Sequence, residues 1–428
     1  MKNSQKIGLY SWGGPSTIHL IKTKYHSPKI DQPSFLELYD LDSLQKIQQT
    51  LGVTDMWVTY SWGFSAEHEA EGYEFIRERL PNFQRVGIQA HAYIQGLNVV
   101  TQDFADETFF CVDGAGRPLS YSKGRSFICP NNPAAKKLIL DRVTLACQEN
   151  FAGIYVDNIL FGLPPIYVKK NYASSFGCSC EFCQMDFQKK YSYRFQPYEK
   201  ENSELEQFLQ FRCNSVFSLL SEISKITKKH KKAFAINLYD PILLDPRLYY
   251  GYDLEQIAPL LDYFLIENHQ HPLSAEVGNQ HLRALLASRK KPTFIVSYKA
   301  GIGREPAFTQ QDLDAIATES NELGYSPCYK GTEFTTNGEW HAVRLEGIHK
   351  PKTTAGESEK PKHVQKKTLG KASFIGKVLT QRLDRFYSRL VRAQYEQAWL
   401  HTIIHKWGIF TFLMKQNQLK YSSHPDES

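Results

Sequence analysis

Along residues 1–350, short apolar runs rich in β-branched and aromatic residues alternate with longer stretches in which apolar positions recur at helical spacing. A run of this kind suits a strand buried on both faces. Its alternation with amphipathic helices is the signature of successive βα units around a parallel sheet. Eight runs stand out: Ile7–Ser11, Asp55–Tyr60, Val86–Tyr93, Gly153–Asn158, Ala233–Leu238, Tyr263–Glu267, Thr293–Tyr298 and Tyr325–Gly331. Helices are predicted between them, among them Asp40–Leu51, Ala134–Glu149, Leu205–Lys228 and Gln310–Leu323, the last with Thr309 as N-cap. Eight alternating units predict an α/β chain closed as a (β/α)8 TIM barrel, a fold of roughly 250 residues or more.

Barrel enzymes keep their chemistry at the C-terminal ends of the strands. The runs here end in groups that are costly to bury and useful at a barrel mouth: Trp12 after the first, Trp62 after the second, His91 and Tyr93 on the third, Asp157 and Asn158 on the fourth. Asn237 closes the fifth, Glu267, Asn268 and His269 the sixth, and Tyr298 and Lys299 the seventh, with Glu333 just past the eighth. Aromatic faces beside carboxylates and amides suit a carbohydrate, whose ring C–H groups stack and whose hydroxyls hydrogen-bond. Trp12, Trp62, Tyr93 and Trp340 are the expected platforms, although such rings also close barrel cores without any ligand.

Composition adds ample apolar and aromatic material for a large core, and charge changes the picture by region. Residues 351–428 hold 14 Lys and Arg against 6 Asp and Glu, which leaves 37 against 39 for residues 1–350. The basic balance therefore belongs to the tail, and the body gives no reason to expect nucleic acid. Residues 351–370 read as a flexible basic linker. Residues 371–428 read as a basic helical extension, in which Leu379, Leu383, Phe386 and Leu390 share a face interleaved with arginines. Packing on the barrel or on a second copy is the plain expectation for it, and docking to an anionic membrane surface the sharper one. The N-terminus lacks the apolar core of a signal peptide, no apolar stretch is long enough to span a bilayer, and a cytoplasmic location is expected.

Of eight cysteines, Cys178, Cys180 and Cys183 crowd into one loop and the others are scattered, a pattern that favours metal binding over a disulfide framework. The alternative is three unligated thiols in a compact turn. The strand ending Val156-Asp157-Asn158, the Cys-x-Cys-x-x-Cys run with Phe187 after it, and Cys129-Pro-Asn-Asn-Pro133 upstream resemble glycoside hydrolase family 42 and related hypothetical glycosyl hydrolases. The specific motifs lie within about residues 126–187. That resemblance implies a structural zinc on Cys129, Cys178, Cys180 and Cys183, with Cys111 the rival fourth ligand. Four thiolates would form a closed tetrahedral site with no open position for catalysis.

One departure bears on function. Where family 42 has Asp-Asn-Glu, with the Glu as acid/base, this chain has Asp157-Asn158-Ile159. The motif is in that respect more similar to α-fucosidase- or α-galactosidase-like barrels, which carry an Asp nucleophile at the end of strand four. A retaining glycosidase needs two carboxyl groups about 5–5.5 Å apart, an inverting one roughly 6.5–9.5 Å. The expected pair is Asp157 as nucleophile and Glu267 as acid/base, in a hydrolase acting on an oligosaccharide or glycoconjugate. The competing expectation is a non-catalytic carbohydrate-binding or scaffolding barrel.

Overall fold

The computed structural model describes residues 6–25, 29–104, 107–122, 124–162, 177–195, 203–239, 247, 250–268, 292–297, 308–322, 324–334 and 338–351. Eight parallel strands close into a barrel in chain order: β1 (Gly8–Ser11), β2 (Asp55–Ser61), β3 (Gln89–Gln95), β4 (Gly153–Asp157), β5 (Ala233–Tyr239), β6 (Phe264–Asn268), β7 (Thr293–Ser297) and β8 (Ser326–Lys330). The (β/α)8 architecture expected from the apolar runs is present. Its outer layer includes α1 (Pro15–Tyr25), α2 (Leu41–Leu51), α3 (Ala66–Val86), α4 (Pro133–Gln148), α5 (Glu181–Tyr191), α6 (Ser203–Lys229) and α7 (Gln310–Glu322).

Local chemistry sets the ends of these elements. Thr309 and Asp312 cap α7 reciprocally: the Thr309 hydroxyl accepts from the Asp312 N–H at 3.2 Å, and the Asp312 carboxylate accepts from the Thr309 N–H at 2.7 Å. Val86, expected to open the third strand, instead closes α3. Gly87 follows it at φ 75°, a left-handed C-cap that only glycine adopts without strain, and the strand starts at Gln89.

Inside the barrel, alternate residues of the strands meet in an aromatic core of Tyr10, Trp57, Tyr93, Tyr155 and Phe294, with Leu265, Val296 and Cys328. Trp57 and Phe294 pack edge to face at 4.9 Å. The other faces of the strands pack against the helices. Two small sheets extend from this body. One joins Asn98–Val100, Arg125–Phe127 and Ser120–Ser122, and the other joins Lys29–Ile30, Glu339–Ala342 and Thr332–Phe334.

Among the described residues no helix is long and apolar enough to cross a membrane. The chain divides into two units, Met1–Pro351 and Lys352–Ser428. The second unit, and with it most of the expected linker and all of the expected helical extension, lies outside the described residues.

Candidate active site

Period-two alternation decides which side chains enter the barrel. Asp157 is the last residue of β4 and faces inward with Tyr155, and Glu267 stands near the end of β6, two residues beyond Leu265. Both carboxylates are buried. They rest on a floor of three tyrosines, Tyr10, Tyr93 and Tyr155, whose ring centroids are 5.8–6.0 Å apart. Tyr93 donates to Asp157 Oδ2 at 2.7 Å, Tyr155 to Glu267 Oε1 at 2.9 Å, and Tyr10 approaches that same oxygen at 3.4 Å. Burial, and then the negative charge of the carboxylates, holds the Tyr10, Tyr93 and Tyr252 hydroxyls well above the usual phenol range. They stay protonated, as donors must.

Asn158 fixes the nucleophile candidate. It sits at φ 56°, left-handed for a non-glycine residue, and this turns both its backbone N–H and its amide toward Asp157. The N–H lies 2.7 Å from Asp157 Oδ1 and 3.1 Å from Asn237 Oδ1, and Nδ2 donates to Asp157 Oδ2 at 2.6 Å. Tyr121 in turn donates to Asn158 Oδ1 at 2.8 Å. Gly96 lets the neighbouring chain pass close by: its N–H donates to the Asp157 carbonyl at 2.7 Å, and a Cβ there would stand 2.5 Å from that oxygen.

Polar atoms around the pair remain available to a ligand. Gln95 lies opposite Asp157 in the strand register, with its amide 2.9 Å from the Tyr93 hydroxyl. Because Tyr93 spends its one proton on Asp157, one polar atom of that amide has no partner whichever way it is turned. Among the described residues, Asn237 Nδ2 and the Tyr252 hydroxyl are likewise buried without partners. Buried donors are rarely left unpaired without a functional reason.

Trp12 and Trp62 form one wall, edge to face at 4.9 Å, with Trp62 also 4.9 Å from Tyr93. The turn that carries Trp62 is clamped on every side. Glu69 accepts from the Ser61 hydroxyl and the Phe64 N–H, Arg142 donates to the Phe64 carbonyl, and Trp62 itself donates to Thr17 Oγ1. Burial raises the Glu69 pKa against the opposing pull of Arg142 and these hydrogen bonds. Lys330, the last residue of β8, is buried with its ammonium 3.9 Å from the centre of the Trp12 ring.

The expected site residues thus separate into groups. Asp157, Glu267, Asn158, Asn237, Tyr93, Trp62 and Trp12 come together at the mouth. His91 does not: it pairs in register with Gly153, the first residue of β4, at the opposite end of the strand from Asp157. There it stacks on Trp57 and meets Asp55 at 3.0 Å. Burial opposes ionisation of Asp55, but the hydrogen bond and charge of His91, with Lys6, lower its pKa overall. The third strand extends two residues beyond Tyr93, and Gln95 occupies the mouth position in place of His91.

Trp340 also lies elsewhere, buried in the small sheet that pairs it with Phe334 and Ile30. Glu333 stands in that sheet opposite His341 rather than on a barrel strand. Asn268 ends β6, and His269, Tyr298 and Lys299 fall outside the described residues. Tyr10, Gln95, Tyr155, Arg125 and Lys330 were not anticipated. The available signal was the same alternation, since Tyr155 and Tyr10 each stand two residues before a residue already singled out.

Ile159, which occupies the place of the family 42 glutamate, is fully buried in the outer apolar core. The strand-four acid/base of that family has no equivalent in this position. The other buried carboxylate of the network is Glu267, on β6.

Cys129, Cys178, Cys180 and Cys183 are held with their sulfurs all within 4.8 Å of one another. Cys129 Sγ is 3.3 Å from Cys183 Sγ and 3.6 Å from Cys180 Sγ. A tetrahedral tetrathiolate with metal–sulfur bonds of about 2.3 Å has edges of about 3.8 Å, so the set has the size of a metal site. Asn131 donates to Cys183 Sγ at 3.3 Å. Cys111 is buried beside Cys129 and Cys178 and stands outside the mutually close quartet.

No protein-family model and no curated protein sequence matches the chain. Solved structures do. The chain is similar to the glycoside hydrolase domain of PgaB (BpsB) from Bordetella bronchiseptica, with a TM-score of 0.51 and 13% identity over 76% of this chain and 94% of that one. It is similar to a β-galactosidase from the haloarchaeon Halorubrum lacusprofundi, with a TM-score of 0.52 and 13% identity over 80% of this chain and 56% of that one. A β-galactosidase from Marinomonas ef1 gives 0.50 and 12%, over 76% and 53%. The chain spans about half the length of these two β-galactosidases. At such identity the likeness is one of fold, and it agrees with the barrel described above.

Proposed function

We propose that this protein is a glycoside hydrolase that acts on an oligosaccharide or glycoconjugate with retention of configuration. The observation that supports the reading is the pair of buried carboxylates at the C-terminal ends of β4 and β6, each gripped by a tyrosine hydroxyl on one aromatic floor. In this reading Asp157, oriented by Tyr93 and Asn158, attacks the anomeric carbon, while Glu267 gives its proton to the departing glycosidic oxygen. Glu267 then takes a proton from water, which attacks the glycosyl–enzyme ester and frees Asp157. Gln95, Asn237 and Tyr252 present polar atoms for sugar hydroxyls, and the Trp12–Trp62 wall shapes the apolar side. The barrel shared with the PgaB domain and the two β-galactosidases accommodates this chemistry; the carboxylate pair carries the proposal.

We also propose that the metal held by Cys129, Cys178, Cys180 and Cys183 is zinc in a structural role, because four thiolates leave no position for substrate. Elemental analysis of protein purified without added metal is expected to find one zinc per chain, and a metal-free preparation of full stability would refute it.

The activity is tested by screening the intact protein and Asp157→Asn on a panel of α- and β-aryl glycosides. Hydrolysis of at least one by the intact chain and its loss in the variant are expected. Glycan binding with no cleavage of any glycoside would instead favour a carbohydrate-binding barrel.

A further inference from the structure

The mouth of the barrel carries cations that the hydrolytic step does not use. Arg125 comes from the same hairpin as Tyr121 and is 6% exposed. It donates Nη2 to the Trp62 carbonyl at 2.6 Å and Nε to Asn98 Oδ1 at 2.8 Å, while Nη1 is buried with no partner among the described residues. Among the described residues no carboxylate forms an ion pair with it, and a buried guanidinium without an anion is costly. Lys330 covers Trp12 at 3.9 Å, and the buried Trp12 indole N–H has no partner among the described residues.

Lys24, at the end of α1, belongs to the same group. The residue reaches solvent, yet burial of its ammonium, and then the charges of Arg125 and Lys330, lowers its pKa to about 8. Three cations therefore gather at the Trp12–Trp62 wall, Arg125 on the Trp62 carbonyl and close to Tyr93, Lys330 over Trp12, and Lys24 within electrostatic reach of both. A fork-shaped guanidinium with an unused N–H matches the oxygens of a carboxylate or a sulfate ester.

We propose that the substrate carries an acidic substituent, a carboxylate or a sulfate ester, seated on Arg125 beside the Trp12–Trp62 wall with Lys330 and Lys24 supplying further positive charge. This deepens the hydrolase reading and rests on it for the identity of the bound chain as a glycan. A neutral glycan would leave the guanidinium uncompensated, and a polyamine glycan would be repelled.

The test is calorimetric binding to the full-length Asp157→Asn protein. The probes are oligogalacturonate, its methyl ester, a sulfated and a desulfated chondroitin oligosaccharide, and a chitosan oligomer. At least one acidic probe is expected to bind ten-fold or more tightly than its neutral counterpart, and which one does so separates carboxylate from sulfate. Lys330→Met and Arg125→Gln are each expected to cut that preference at least five-fold. Lys24→Ala, at an exposed position that leaves the fold undisturbed, is expected to cut it two- to three-fold. Equal affinity for acidic and neutral probes, tighter binding of chitosan, or a preference that survives all three substitutions would overturn the proposal. Hydrolysis of neutral glycosides with no acidic preference would refute it while leaving the hydrolase reading intact. Acidic binding with no cleavage by the intact chain would do the reverse.

Discussion

Asn158 combines a left-handed backbone with two hydrogen bonds to Asp157, one from its backbone N–H and one from its side-chain amide. Asn tolerates φ 56° better than other non-glycine residues, and a β-branched residue there costs roughly 1–2 kcal/mol in backbone strain. Asn158→Gly is therefore expected to melt near the intact protein but to turn over more slowly, since the backbone N–H bond survives and the amide bond is lost. Asn158→Val is expected to lose stability as well. Thermal melts alongside initial rates separate the two, and full activity in Asn158→Gly would show that the amide does not orient Asp157. Glu267→Gln is expected to lose roughly 10²–10⁴-fold on substrates with poor leaving groups, the usual contribution of general acid catalysis. It should lose far less on activated aryl glycosides, whose departure needs no proton. An equal loss on both kinds of substrate would remove Glu267 from the acid role.

Among the secondary-structure elements, Cys178, Cys180 and Cys183, at the entry and first turn of α5, stand against Cys129 in the segment leading into α4, so a metal bound there would link two distant pieces of chain. Cys183→Ser, or chelation under mild denaturant, is expected to lower the melting temperature and expose the buried α5 residue Phe187. A melt unmoved by either would show that the thiols pack without metal. The strands and the main helices were legible in the sequence because each repeats one simple pattern. Seven of the eight strands lie within a residue or so of the apolar runs, and the eighth was shifted by the Gly87 cap. The site was legible only where polarity broke an apolar run, as at Asp157, Asn158, Asn237 and Glu267. His91 was misplaced because a buried Asp55–His91 pair at the barrel's other end has the same local spelling as a mouth residue. Trp340 was misplaced because a tryptophan just past the last strand does not reveal that it enters a separate sheet. Arg125 and Lys330 were missed because their neighbours, Trp62 and Trp12, are remote in sequence.

For the molecule as a whole, the aromatic interior predicts an alkaline limit. Burial raises the hydroxyl pKa of Tyr39 to about 12 and pushes Tyr10, Tyr93, Tyr252 and Tyr263 further above the phenol value. Above about pH 10 the unfolded chain loses these protons and the folded one keeps them, so stability is present below that pH and falls as pH rises, by about 1.4 kcal/mol per pH unit for each such group. Denaturant melts from pH 8 to 11 are expected to show this fall, with phenolate absorbance appearing together with unfolding. A stability flat across pH 10 would contradict the burial of these hydroxyls. Because the chain divides at Pro351, deletion of residues 352–428 is expected to leave a barrel that folds and retains turnover, and an insoluble or molten product would place the tail in the core. In the proposed reaction Asp157 forms a covalent bond to the sugar. The most direct test of that bond is intact and peptide mass spectrometry of the protein after incubation with 2-deoxy-2-fluoro glycosides of the sugars it cleaves. One glycosyl adduct per chain, located on Asp157 and absent from Asp157→Asn, is the predicted result; an adduct on another residue, or undiminished hydrolysis by Asp157→Asn, would contradict it.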